Sequence, residues 1–272
     1  FFFSSVCFFM SATCEAACSI HSKSELVTHL NNWEAGTPVA GCTDINTWDV
    51  SNVDDFSRLF QDRRSFNSDI SNWNTSSVTD MTATFRDAAE FNGNLSSWDT
   101  SSVTNLVSTF NGARAFNGDL SSWDTSSVTD MFSTFRQASE FNGDLSSWDT
   151  SRVTRLSATF RDASAFNGDV SGWNTSSVTH LSSMFNQASN FNGNLSSWDT
   201  SSVTDMGGMF YSATAFNGDL SSWDTSSVKS LWSTFSEASN FNGDLSSWDT
   251  SKVTTLETTF RHASAFNGDL SS

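Results

Sequence analysis

The chain has 272 residues and a formal net charge of −17, from 13 basic and 30 acidic residues, with a single Pro. That balance argues against nucleic acid as a partner, because the phosphate attraction that supplies most such affinity becomes repulsion; cationic surfaces, carbohydrate and Ca²⁺ stay compatible, and acid on a repetitive surface also serves solubility. A strict period replaces the usual count of domains: Trp falls at 48, 73, 98, 123, 148, 173, 198, 223 and 248, always 25 residues apart, which marks a stacked repeat array.

Residues 1–16, FFFSSVCFFMSATCEA, have the apolar core of a secretory signal peptide with a small-residue cleavage site after Ala16. The run is too short to span a bilayer, and no second apolar stretch follows, so no membrane span is expected. A lipid attached at Cys14 is the competing reading, although Thr13 before it suits that signal poorly. The chain starts with Phe1 and stops at Ser272, one residue short of the next expected Trp, and so reads as a fragment open at both ends. Of the four Cys, at 7, 14, 18 and 42, cleavage after Ala16 leaves Cys18 and Cys42, a pair able to bridge in an oxidising compartment.

Residues 17–47 read as an N-terminal cap. Ser24 stands ahead of ELVTHLNNW as a helix N-cap, Leu26, Leu30 and Trp33 share one face, and Gly36 and Pro38 end the helix. A stacked array needs such a cap, since its first unit would otherwise expose an apolar end.

Residues 48–272 form nine units. Counted from each Trp, a Val follows at five residues (Val53 to Val253), an apolar residue at eight (Phe56, Met81, Leu106, Met131) and a Phe at twelve and again at eighteen (Phe60 and Phe66 in the first unit). An Ala usually falls at fifteen and an aliphatic at twenty-two (Ala88, Leu95). Val103, Leu106, Phe110 and Ala113 are three, four and three apart, a spacing that predicts one face of a helix starting at Ser102. Asp80 and Asp130 near the start of such helices, and Arg86, Arg136, Arg161 and Arg261 near the end, suit the two poles. FNGDLSSWD, residues 116–124, predicts an Asn-Gly turn, a short strand around Leu120 and a bend before Trp123. The expected fold class is an α/β repeat solenoid with one short parallel strand and one short helix per 25-residue repeat. Strands stack about 4.8 Å apart and helices about 8 to 10 Å, so the array should curve with its sheet on the concave side.

Units such as VTDMFSTFRQASEFNGDLSSWDTSS resemble the 25-residue repeats of BspA-like leucine-rich-repeat surface proteins of the Mycoplasma-lipoprotein type, over residues 48–272. The resemblance implies a leucine-rich-repeat-like solenoid, secreted or at the cell surface, with adhesion to matrix, host or neighbouring cells as its role and no catalytic residues. One departure concerns Thr84, Thr109, Thr134, Thr159, Thr234 and Thr259, which stand where that family often has Met; Met184 and Met209 keep it. It leaves the outer edge of the helical face more polar.

The four His, at 21, 29, 180 and 262, share no repeat position, and no Gly-flanked nucleophile elbow occurs, so an enzyme is not expected. Two columns of acid do recur: Asp49, Asp99, Asp124, Asp149, Asp199, Asp224 and Asp249, and Asp69, Asp119, Asp144, Asp169, Asp219, Asp244 and Asp269. Stacked carboxylates repel unless hydrogen-bonded or bridged, so weak Ca²⁺ binding is one reading and turn or cap hydrogen bonds the favoured one, since Asn74 and Asn174 substitute there. No other cofactor is expected. The pairs Ser96 and Ser97, Ser121 and Ser122, and Ser146 and Ser147, with Asp99, Asp124 and Asp149, form a candidate binding ladder suited to a repetitive target. Variation concentrates instead at Thr82, Val107, Phe132, Trp232 and Glu257, on the predicted outer helix surface, which suits a protein. Asn74, Asn94, Asn174 and Asn194 open N-glycosylation sequons, and glycans there would crowd the sheet face. The expected function is non-enzymatic adhesion or interaction with extracellular protein, cells or polysaccharide; the alternative is a surface-active binder of ice or mineral through the Ser, Thr and Asp ladders.

Overall fold

The computed structural model describes residues 18–268; the signal-peptide and Cys14 readings in 1–16, and the repeat positions Asp269 and Leu270, lie outside them. The expected strand-plus-helix solenoid with a concave sheet is contradicted. Among the described residues there is one α-helix, α1 (Lys23–Glu34), and one short 3-10 turn (Ile45–Thr47). In place of a sheet, isolated parallel bridges link residues 25 apart, running Asp55, Asp80, Asn105, Asp130, Arg155, His180, Asp205, Ser230 and Thr255.

Each unit is a turn-rich coil stacked on the next. In the segment expected to be a helix, the N–H groups of Leu106, Ser108, Phe110 and Gly112 donate to carbonyls of the following coil, those of Asp130, Phe132, Thr134 and Arg136, at 2.7 to 3.1 Å. The intervening N–H groups of Thr109, Asn111 and Ala113 turn back to Leu106, Ser108 and Phe110. A helix would return every donor four residues back along its own chain. Here every second donor leaves for the neighbour, so the three-four-three spacing marks inward positions of overlapping β-turns. Those turns need left-handed backbone at two places per coil, ten and fourteen residues after the Trp. Sixteen of these eighteen positions are not Gly, among them Ser108, Gln137, Ala158 and Asp162, with φ of 52 to 63°. Each costs on the order of 1 kcal/mol and persists where the surrounding bonds over-determine it.

Spacing explains why the helix is absent. Equivalent rings in neighbouring coils lie 5.5 Å apart for Phe85 and Phe110, 5.9 Å for Phe91 and Phe116 and 6.2 Å for Trp123 and Trp148. That leaves no layer with the 8 to 10 Å that packed helices want. The predicted strand around Leu120 is replaced by turns: Asp119 accepts from the N–H of Ser121 at 2.9 Å, and the Trp123 N–H returns to the Leu120 carbonyl.

The core is two continuous columns of Phe, one from Phe60 to Phe260 and one from Phe66 to Phe266, flanked by the Trp column. The repeating polar groups inside it are hydrogen-bonded to backbone carbonyls. The Trp123 indole N–H donates to the Leu95 carbonyl at 3.1 Å, and the Thr125 hydroxyl to the Asp149 carbonyl at 3.0 Å. The Thr residues expected to make an outer edge polar are buried instead: Thr134 is 0 % exposed, and its hydroxyl reaches the carbonyls of both Met131 and Leu106. The Gly of the Asn-Gly pair is not a left-handed turn residue either. A Cβ on Gly143 would sit 3.0 Å from the Phe141 ring and 3.4 Å from the Gly118 carbonyl, so close stacking favours Gly there, with Ser68 in its place in the first coil.

The cap closes the first coil. The N-cap of α1 is Ser22 and not Ser24: its extended backbone lets its hydroxyl accept from the Glu25 N–H at 3.2 Å. Leu26 and Leu30 are buried, and Trp33 packs half-buried against the core. Ser19 bridges in parallel to Asp49, Cys18 and Cys42 are joined in a disulfide, and ion pairs link Lys23 to Asp55 and Arg63 to Glu34.

Candidate binding faces

The Asp and Ser columns are first of all structural. Asp99 accepts from both the N–H and the hydroxyl of Ser101, at 3.0 and 2.6 Å, and Asp124 holds Ser126 in the same way. Asp149 accepts from the Ser151 N–H, and Asp144 from that of Ser146. These bonds hold the carboxyls of Asp99, Asp124, Asp144 and Asp149 below the ordinary carboxylate range, while for Asp99, Asp144 and Asp149 neighbouring Asp of the same column push weakly the other way.

Of each Ser pair, the second hydroxyl is spent between coils: Ser97, Ser122 and Ser147 donate to the carbonyls of Ser71, Ser96 and Ser121. Ser96 donates its hydroxyl to Asn94 at 2.8 Å, whereas Ser121 and Ser146 are exposed. The sequon residues Asn74, Asn94, Asn174 and Asn194 are all exposed, and each accepts from the Ser two residues on.

A further column was hidden in the sequence, where Asn reads as a turn residue. The Asn142 side chain accepts from the Asn167 backbone N–H at 2.8 Å, and the same bond repeats from Asn67 to Asn267. It is a hydrogen-bonded seam along one side of the stack. The only sign of it in the sequence is that Asn never changes at that position.

The variable column lies beside the bridge positions and not on a helix. Phe132 is half-buried beneath the Arg155 guanidinium, 3.7 Å from its ring centroid, and Arg155 also reaches Asp130 at 3.8 Å. Trp232 is 48 % exposed, and Glu257 is exposed on the last coil. Among the described residues the one group of His, Cys, Asp or Glu close enough to share an ion is Cys18, His29 and Cys42, and both sulfurs are already in the disulfide. No helix among them is long and apolar enough to cross a membrane.

Near-identical coils stacked on aromatic columns, with variation concentrated in a column that is mostly half-buried, define a repeat protein. The chain belongs to the family described as Mycoplasma protein of unknown function, DUF285, whose model matches residues 28–145, 119–206 and 190–272. No curated protein matches it.

Proposed function

We propose that the protein is a non-enzymatic interaction array, secreted or displayed at the cell surface, that adheres to matrix, cells or polysaccharide through its outer columns. The observation that carries this reading is a contrast within one coil. The position nine residues after the Trp holds Ser57, Thr82, Val107, Phe132, Ser157, Ser182, Gly207, Trp232 and Glu257, while the position three residues later is Phe in all nine coils. Inner residues repeat because each must stack on its own kind; those of the variable column, exposed at Trp232 and Glu257 and half-buried in most other coils, are released from that demand and can differ with a partner. The disulfide is compatible with an oxidising compartment, and the likeness to BspA-like surface repeats points the same way. The test is binding of the folded, secreted protein to arrays of glycans and matrix proteins and to cells. Binding to one class is expected, and silence on all of them from folded protein overturns the reading.

An in-register column of exposed Thr supports the second reading, a binder of ice or mineral. Thr79, Thr104, Thr129 and Thr154 are exposed one above another, and the hydroxyls of the last three reach the carbonyl below at 3.2 to 3.3 Å. Ice or mineral crystals that grow with unaltered habit and rate in its presence remove that reading.

A further inference from the structure

Eight of the nine repeat Trp are 2 or 3 % exposed and the last 8 %, so the 48 % exposure of Trp232, an extra Trp outside the repeat pattern, sets it apart. Its setting is built by two departures from the repeat and a buried amide beside them. Gly207 and Gly208 occupy adjacent positions where other coils carry side chains such as Thr82 and Ala83, or Phe132 and Ser133. The Gly208 N–H donates to the Trp232 carbonyl at 2.7 Å, and a Cβ on Gly208 would lie 3.9 Å from the indole ring. The edge of the indole therefore lies beside Gly208, and about half of the side chain stays open to solvent.

The neighbouring amide is that of Asn186, 8 % exposed, at a position that is also Asn in Asn111; its nitrogen lies 3.5 Å from that same Cβ point. Its side-chain oxygen is buried without a hydrogen-bond partner, as are polar atoms of Gln61, Arg136 and Arg161 at the same repeat position. A buried amide left unmatched costs about 1 to 3 kcal/mol, so it favours any partner that supplies the missing bond. Tyr211, Ser212 and Glu237 form a hydrogen-bonded group on the coils next to it, which adds further polar groups at the rim.

We propose that Trp232, Gly207, Gly208 and Asn186 form a subsite for one neutral hexose unit of a polysaccharide. An open indole face carries negative quadrupole and meets the weakly positive C–H face of a pyranose, while an amide able to turn serves a sugar hydroxyl as donor or acceptor. An exposed indole with polar side chains beside it suits a sugar, which offers an apolar C–H face and hydroxyls together. This inference rests on the adhesion reading and narrows its ligand.

The experiment titrates gluco-, galacto- and manno-configured neutral oligosaccharides against the full chain by saturation-transfer NMR and calorimetry, alongside binding to the matrix-protein and cell arrays. At least one oligosaccharide should bind. Trp232→Thr should weaken it by about 10-fold or more, and Gly208→Ser, which gives Asn186 a hydroxyl neighbour, by about 5-fold. Both replacements occur at equivalent places in other coils, Thr82 and Ser183, the latter at φ 56°, so folding is expected to survive and is checked by thermal unfolding. Val39→Thr, at an exposed residue of the cap, should leave binding unchanged. Binding that survives Trp232→Thr, or adhesion to matrix proteins or cells with no oligosaccharide bound, overturns the subsite and leaves the adhesion reading standing; silence everywhere overturns both.

Discussion

In the cap, residues 18–47, the backbone bonds largely to itself through α1 and the Ile45–Thr47 turn, a disulfide closes it internally, and two ion pairs fasten it to the first coil. In the coils, every second donor of the turn segment crosses to the next unit, and side chains complete what the backbone leaves open. The difference follows from where each region ends. A cap must finish a stack and so closes on itself, while a coil must offer its neighbour what it received. Regular secondary structure is the mark of the closing unit here, and its lack is the mark of the repeating one.

The sharpest way to break the coils alone is Phe160→Ala in mid-column, where the ring stacks on Phe135, Phe166 and Phe185. A loss of about 3 to 5 kcal/mol is expected in chemical denaturation. Breaking the cap instead, by Cys18→Ser with Cys42→Ser, opens a link between residues 24 apart and should cost about 3 kcal/mol. If the two regions are coupled only through the first coil, hydrogen exchange should rise in the cap and the coil beside it and stay unchanged beyond Phe160. Asn142→Ala removes the acceptor for Asn167 from the seam and should cost about 1 kcal/mol, with faster exchange at the Asn167 amide.

Acid should separate the regions more gently. The folded pKa values of Asp99, Asp119, Asp124, Asp144 and Asp149 are lowered by hydrogen bonds from the Ser two residues on. Their contribution is complete above the unfolded value of about 4 and is lost as pH falls from there through the lowered folded values. Melting temperature should therefore drop below about pH 4, and Asp119→Asn with Asp144→Asn, copying Asn94 and Asn194 of the same column, should shallow that drop. The smallest effect has the opposite sign. Gln137→Gly relieves a left-handed residue at φ 59° and should stabilise by somewhat under 1 kcal/mol; a loss would show that Gln137 is held by something other than its backbone.

Much of the interior was legible in the sequence because stacking forces like onto like. Trp48 to Trp248, Val53 to Val228 and both Phe columns occupy the core that their period indicates. The cap helix was legible too, displaced by two residues at its start, since Ser22 and Ser24 are equally good caps by type and only backbone geometry separates them. The path of the coil was not legible. Val103, Leu106, Phe110 and Ala113 satisfy helical spacing and linked turns alike, and the residues that take positive φ, such as Ala158 and Gln137, lack the Gly or Asn signature that betrays such turns. Thr134 misled for a related reason: its hydroxyl counts as polar in a sequence but is silenced by two carbonyls in the core. Of the outer face, Trp232 stood out by its failure to repeat, whereas Asn186 gave no signal because Asn is common throughout the chain.

The seam of Asn side chains has a mechanical consequence. Each bond runs from one coil to the next, as do the backbone bonds of the turn segment, so tension applied along the column loads these links in series. Such an arrangement yields one coil at a time, letting out 25 residues of slack at each step and sparing the rest. Held at one end and pulled at the other, the chain would lengthen in instalments before it let go.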